Sequence, residues 1–321
     1  MSNKALIQNL FSIKELVRLP FIPIVYRFGA KLIQISPEEM MGDATLLTNG
    51  LLTCQELFGY DAVVGGFDLA MHHDAMGYPI SSGGGIPAIE ISQMENIGPN
   101  PIVVEVIRRL TLMVGKRIGI LGAMTGPITL AYTLGGKIVL EDPFTESSKR
   151  FLEASKEACL KISKAYGEFQ VDGIIFFEGV LSSPAIRSIE GYSPVYQTLS
   201  NVIHFYNSRL IIALPHFYVN QLKSFYQLKP DALLLGEWKE GNLDFYEVKE
   251  LLDRYQICIG IGIPFSSGRE EMFRRLEWVV KGMENENLKR GIFLSSVGEV
   301  PYEMEAKELH DFMEAIGQIY L

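Results

Sequence analysis

Three side chains in the second half of the chain could together bind a metal ion. His216 and Glu237 follow two apolar runs that are typical of neighbouring strands, and Cys258 lies within the next run. Imidazole nitrogen, carboxylate oxygen and thiolate sulfur are the usual protein ligands of zinc, and a catalytic zinc site has three protein ligands and one open position. The sequence therefore predicts a catalytic zinc site formed by His216, Glu237 and Cys258. Free cysteine is also common in protein cores, so a packing role for Cys258 stays open.

Other ionisable residues follow further apolar runs and could transfer protons. A carboxylate at a strand end, such as that of Glu178, is costly unless it is paired or used in chemistry. The candidate catalytic residues are Asp68, His72, Glu178 and Tyr218. Arg27 could hold an anionic group or pair with Asp68.

Aromatic side chains near the same strand ends could line a mostly apolar substrate pocket. The predicted substrate-binding residues are Tyr26, Arg27, Phe177, Phe217 and Trp238. Packing within the core or against helices is the alternative for several of the aromatic residues.

Eight short apolar runs must position these side chains. Each run is continuous rather than alternating, which is typical of strands buried on both faces. The runs cover residues 21–26, 61–66, 117–123, 172–177, 209–214, 231–236, 256–263 and 290–295. Amphipathic stretches between them predict helices, including 151–168, 270–283 and 303–316. Eight alternating units predict a (β/α)8 TIM barrel, whose active site lies at the carboxyl ends of the strands. A doubly wound open sheet is the alternative.

The chain is predicted to be a single domain over residues 1–321, with residues 1–20 as an N-terminal helical extension. Residues 67–99 do not fit the repeat, and they predict a long excursion after strand two at the top of the barrel.

Composition excludes several classes of partner. The net charge is −9 and the pI about 5.2, which argues against nucleic acid or an anionic membrane surface. The longest apolar runs are far too short to span a membrane. Three widely spaced cysteines indicate reduced thiols, and the N-terminus is more typical of a helix than of a signal peptide. We therefore expect a cytoplasmic protein.

Several segments resemble the uroporphyrinogen decarboxylase superfamily in their order and spacing. They read PIVYRFGAKL (23–32), FDLAMHHDAMGYPI (67–80), GPITL (126–130), VDGIIFFEG (171–179), ALPHFYVN (213–220) and DALLLGEW (231–238). The resemblance implies a TIM barrel and two main activities. One branch decarboxylates a tetrapyrrole without metal, and the other contains corrinoid-dependent methyltransferases, many of them zinc enzymes.

The decarboxylase branch is the less similar one. Asp68 matches its central aspartate, but its paired arginines after strand one are represented only by Arg27 and Lys31. Its C-terminal histidine has no counterpart in residues 293–300.

The methyltransferases that methylate coenzyme M resemble the chain at His216. However, Tyr218 and Val297-Gly298 stand where their two zinc-binding cysteines are expected. A third set, which transfers methyl groups from methoxylated aromatics to a corrinoid protein, has more variable metal ligands, so a site of His216, Glu237 and Cys258 would fit it.

The resemblance thus implies a methyltransferase that demethylates an aryl methyl ether. Zinc would act as Lewis acid, and the corrinoid would be supplied by a partner protein. A thiol methyltransferase and a non-catalytic barrel that serves as a scaffold remain alternatives, and a homodimer stays open.

Overall fold

A computed structural model describes residues 2–68 and 98–319. Its centre is a sheet of eight parallel strands in the order β1-β8-β7-β6-β5-β4-β3-β2. The strands are β1 (Phe21–Ile24), β2 (Ala62–Asp68), β3 (Gly119–Thr125), β4 (Gly173–Phe177), β5 (Arg209–Tyr218), β6 (Ala232–Lys239), β7 (Cys258–Ile263) and β8 (Ile292–Glu299). The Asp61 N–H donates to the Phe21 carbonyl oxygen at 3.0 Å, which brings the first two strands together and nearly closes the barrel. The predicted TIM barrel and all eight strands are confirmed.

Helices surround the strands. They are α1 (Asn3–Phe11), α2 (Tyr26–Leu32), α3 (Pro37–Met41), α4 (Ala44–Phe58), α5 (Pro101–Val114), α6 (Pro127–Gly135), α7 (Ile138–Glu141), α8 (Glu146–Gly167), α9 (Ser193–Phe205), α10 (Phe245–Tyr255), α11 (Arg269–Asn285) and α12 (Ala306–Gly317). Short 3-10 segments occupy Glu190–Tyr192, Val219–Leu228 and Phe265–Ser267. The three helices predicted above correspond to α8, α11 and α12.

Local sequence explains where several helices begin. Asp43, Asn100, Thr145 and Asp244 each precede a helix, and their side-chain oxygens accept backbone N–H bonds from its first turn. Such caps satisfy amide groups that have no partner within the helix.

The N-terminal helix α1 covers the amino ends of the strands. Its residues Leu6, Ile7 and Leu10 are fully buried. The Lys4 N–H donates to the Arg117 carbonyl just before β3, and the Asn3 amide donates to the Tyr60 carbonyl just before β2. The predicted helical extension is therefore part of the barrel floor.

Three aspartates at this floor connect neighbouring strands. Asp61, Asp172 and Asp231 directly precede β2, β4 and β6. Each accepts a backbone N–H from the preceding strand, with the nitrogens of Phe21, Ile120 and Leu210 at 2.9, 2.8 and 2.7 Å. These carboxylates hold adjacent strands in register.

Most of the predicted excursion, residues 69–97, lies outside the described residues. Within the described ranges, the helices are all too short or too polar to cross a membrane.

Candidate active site

The strands β5 and β6 reach farther than their neighbours at the carboxyl end of the barrel. Pairing of β4 with β5 ends at Phe177 and Ala213, and pairing of β6 with β7 ends at Leu235 and Ile261. The strands β5 and β6, however, stay paired as far as Tyr218 and Lys239. A two-stranded projection therefore stands above the barrel mouth.

His216 and Glu237 are paired residues on this projection. Gly236 allows the strands to meet here, because a Cβ at that position would overlap the Pro215 carbonyl oxygen. The His216 Nδ1 and Glu237 Oε2 atoms are 3.5 Å apart, and the two side chains are 30% and 45% exposed. The two predicted ligands are thus brought together where a substrate can reach them.

The Nδ1 atom of His216 is buried and has no hydrogen-bond partner among the described residues. A buried polar atom without a partner is costly, and such atoms often mark functional sites. Two ligands of one tetrahedral zinc ion, each at about 2.0 Å, lie roughly 3.3 Å apart. The spacing of His216 and Glu237 therefore fits two adjacent ligands of one zinc ion.

Cys258 is not part of this arrangement. It is the first residue of β7 and pairs with Ala232 at the start of β6, whereas Glu237 lies five residues farther along β6, about 16 Å at the rise of a strand. Its Sγ donates to the Leu10 carbonyl in α1, and burial raises the pKa of its thiol to about 12. The predicted three-residue site is therefore wrong in its third member. In the described part of the chain, no three His, Cys, Asp or Glu residues cluster to hold a metal.

Glu178 is enclosed rather than open to a substrate. Its carboxylate is 0% exposed and accepts the N–H groups of Ile128 and Thr129, the Thr129 hydroxyl and the Tyr196 hydroxyl. Burial raises the pKa of this carboxyl, while the hydrogen bonds oppose that shift. Helix α6 has only Gly126 at its N-cap, so Glu178 supplies the cap. Its place at a strand end reflects helix capping.

Arg27 is bound to a buried carboxylate. Its Nε donates to Glu299 Oε2 at 2.8 Å, and its backbone N–H also donates to Glu299. Glu299 is the last residue of β8 and its side chain is 0% exposed, so Arg27 is held against the end of that strand. Tyr26 beside it is fully buried, and burial raises the pKa of its hydroxyl well above the usual value.

The predicted aromatic residues divide into two groups. Phe177 and Phe217 are buried core residues, although Phe177 touches a small cavity of about 10 Å³ beside Val297 and Gly298. Trp238 and Tyr218 are half-buried. Tyr218 lies two residues after His216 on β5, so the two side chains point to the same side of the strand.

A groove of about 640 Å³ adjoins Glu237 and Trp238. Its far wall is formed by Arg274, Arg275 and Trp278 of α11. These residues were not among the sequence candidates, because those candidates were residues at predicted strand ends and these three lie within a helix.

Two further candidates are His72 and Asp68. His72 lies outside the described residues. Asp68 is the last residue of β2, where its backbone pairs with Met124.

Comparisons with known proteins agree with this architecture. A methyltransferase from Methanosarcina mazei is similar in structure, with a TM-score of 0.72 and 17% identity over 99% of each chain. An engineered protein gives a TM-score of 0.52 at 12% identity, covering 98% of this chain and 72% of that one. A B12-independent methionine synthase from a Shewanella species gives 0.45 at 14% identity, covering 67% and 64%. At these identities, the first two similarities show a shared fold. No curated protein sequence matches the chain.

The sequence itself matches the family model of uroporphyrinogen decarboxylase over residues 2–224. This range is more than half of the 321 residues, and it includes β1 to β5 with His216 and Tyr218. The chain therefore belongs to the uroporphyrinogen decarboxylase family.

Proposed function

We propose that this chain is a methyltransferase that takes a methyl group from an aryl methyl ether and passes it to the cobalt of a separate corrinoid protein. The observation that carries the proposal is the His216–Glu237 pair at the barrel mouth, whose buried histidine nitrogen has no hydrogen bond among the described residues. Within the family, methyl transfer is the activity whose histidine after strand five resembles His216. The methyltransferase from Methanosarcina mazei, which shares this fold, supports the same class of reaction.

The geometry favours methyl transfer over decarboxylation. A substrate with many carboxylates needs several available cations, but Arg27, the arginine after strand one in the resembling segment, is already bound to Glu299. Thiol methylation is less favoured as well, since Tyr218 and Val297-Gly298 replace the cysteines that the resemblance would require.

His216 and Glu237 would hold zinc as two of its protein ligands. A zinc ion bound there would withdraw electron density from the ether oxygen and make phenolate a better leaving group. The methyl carbon would leave that oxygen, which keeps the bonding electrons, and would be accepted by the reduced cobalt of the partner. Tyr218, on the same side of β5 as His216, would donate a proton to the phenolate and recover it from solvent.

The metal content of the purified protein tests the site. Wild type prepared without chelator or affinity metal should contain about one zinc per chain, as catalytic zinc sites do. His216→Ala should lose the metal, and Cys258→Ala should keep it because this thiol lies at the other end of the barrel. A metal-free wild type that added zinc does not reconstitute would overturn the zinc site.

Product analysis then tests the reaction. With an aryl methyl ether and cob(I)alamin, the zinc-loaded protein should yield equal amounts of phenol and methylcobalamin. Methylation of a thiol by methylcobalamin, without ether cleavage, would instead support the thiol methyltransferase.

A further inference from the structure

Arg275 is a half-buried cation in the groove beside Glu237. It lies on α11, and its guanidinium carbon is 3.9 Å from the centre of the Trp238 ring. A guanidinium that lies over an aromatic ring can still donate hydrogen bonds from its edges. Burial lowers the pKa of Arg275, but arginine stays charged in proteins.

Few groups compete for this guanidinium. Among the described residues, Arg275 forms no ion pair within 4 Å, and its hydrogen bond to the Gly262 carbonyl is 3.5 Å long. Glu271 attracts it from farther away but is bound by the Arg274 Nε at 2.8 Å. Glu237 also lies at longer range and faces His216. A guanidinium has five N–H donors, so most of those on Arg275 are available.

The groove around Arg275 has two tryptophans beside two arginines and two carboxylates, Arg274, Arg275, Glu237 and Glu271. Trp238 and Trp278 line it with their ring centres 5.0 Å apart. Glu237 precedes Trp238 on β6. Its volume of about 640 Å³ is within the usual range for small-molecule sites.

We propose that Arg275 binds a carboxylate of the substrate through paired N–H donors, while the tryptophans contact its aromatic ring. The substrates would then be methoxylated aromatic acids rather than neutral aryl ethers. That this ligand is the methyl donor rests on the proposed function, but the anion site itself does not.

Ligand binding can be measured without metal, corrinoid or turnover. The chain has two tryptophans, and both line this groove, so tryptophan fluorescence reports directly on it. Benzoate and benzamide are matched probes, because they are similar in shape and differ in charge. Wild type should bind benzoate at least about tenfold more tightly than benzamide, as expected for hydrogen bonds to a charged group.

Substitutions of two arginines on α11 test whether Arg275 causes the preference for benzoate over benzamide. Arg275→Gln should abolish it, and Arg275→Lys should retain part of it because lysine keeps the charge but loses the planar fork. Arg269→Gln is the matched control. Arg269 also lies over an aromatic ring, that of Phe273, but it is paired with Asp311 at 2.6 Å. The control should keep the full preference for benzoate.

The outcomes separate this site from the reaction. Equal binding of the two probes by wild type, or an undiminished preference in both Arg275 variants, would overturn the anion site. If benzoate binds through Arg275 but methoxybenzoate transfers no methyl group, the site stands and the proposed reaction fails. If neutral aryl ethers react as well as methoxybenzoate, the reaction stands and the substrate assignment fails.

Discussion

At the amino end of the barrel, Asp61 bridges two strands and is also paired with Arg18, at 2.8 Å between its Oδ2 and the arginine Nη1. Asp172 is paired with Lys4 at 2.6 Å in the same way. At the carboxyl end, the Nδ1 of His216 is buried and accepts or donates no hydrogen bond among the described residues, with Glu237 Oε2 3.5 Å away. These polar side chains at the floor are therefore engaged in structural contacts, whereas some polar groups at the mouth remain available to a ligand. In TIM barrels, stability and catalysis are commonly divided between these two faces.

The largest effect should come from removing the His216 imidazole at the mouth. His216→Ala should lower methyl transfer at least about 1000-fold, which corresponds to roughly 4 kcal/mol of activation free energy. Its free energy of unfolding should stay the same or rise by about 1 kcal/mol, because a buried unsatisfied nitrogen is removed. Transfer rates and urea unfolding measure the two quantities. His310→Ala, on the surface of α12, is the control and should change neither. A large loss of stability in His216→Ala would mean that the mouth is also structural.

A substitution at the floor should instead lower the free energy of unfolding and leave the activity unchanged. Asp61→Asn should lower the free energy of unfolding by about 3 kcal/mol, since it leaves Arg18 without its buried partner. Activity per folded molecule should be unchanged. Asp253→Asn, which removes an exposed pair with Arg290, should cost less than about 1 kcal/mol. Urea unfolding of the three proteins measures these differences. Lost activity in a fully stable Asp61→Asn protein would contradict the division between the faces.

The smallest effect is a pH dependence at the floor. His204 is hydrogen-bonded to Asp231, with 2.7 Å between Nε2 and Oδ2, and this bond raises the pKa of His204 although burial opposes it. Burial alone would raise the pKa of Asp231, but the hydrogen bonds from His204 and from the Leu210 N–H outweigh it and lower that pKa. The stabilisation by His204 is therefore complete below the usual histidine pKa of about 6.5 and is lost as pH rises through the raised one. It is also lost as pH falls through the lowered pKa of Asp231.

Unfolding of wild type and His204→Gln across pH 4 to 9 tests this dependence. Because His204 is 45% exposed, the maximum difference in stability should be below about 1 kcal/mol, near pH 5 to 6. A difference that grows toward pH 9 would contradict the assigned sign. Asp231 bridges to Leu210 in both proteins, so the comparison isolates the contribution of the histidine.

The proximity of two candidate ligands depends only on the order of the strands. His216 and Glu237 follow consecutive apolar runs, and parallel strands place their carboxyl ends side by side, so their proximity could be predicted. The predicted zinc site was wrong for Cys258, because the position of a residue along its strand matters as much as which strand carries it. The signal was present in the sequence, since Cys258 stands near the beginning of its run rather than after it.

The amino-acid sequence by itself determined the barrel, because eight continuous apolar runs separated by amphipathic stretches can bury their surfaces in few other ways. It also determined which strand ends carry ionisable groups. Only the tertiary structure decided which of those groups are already used. The enclosure of Glu178 by α6, the pairing of Arg27 with Glu299 and the stacking of Arg275 on Trp238 all join residues from separate elements. Such contacts depend on strand register and helix packing, which the periodicity of a single segment does not specify.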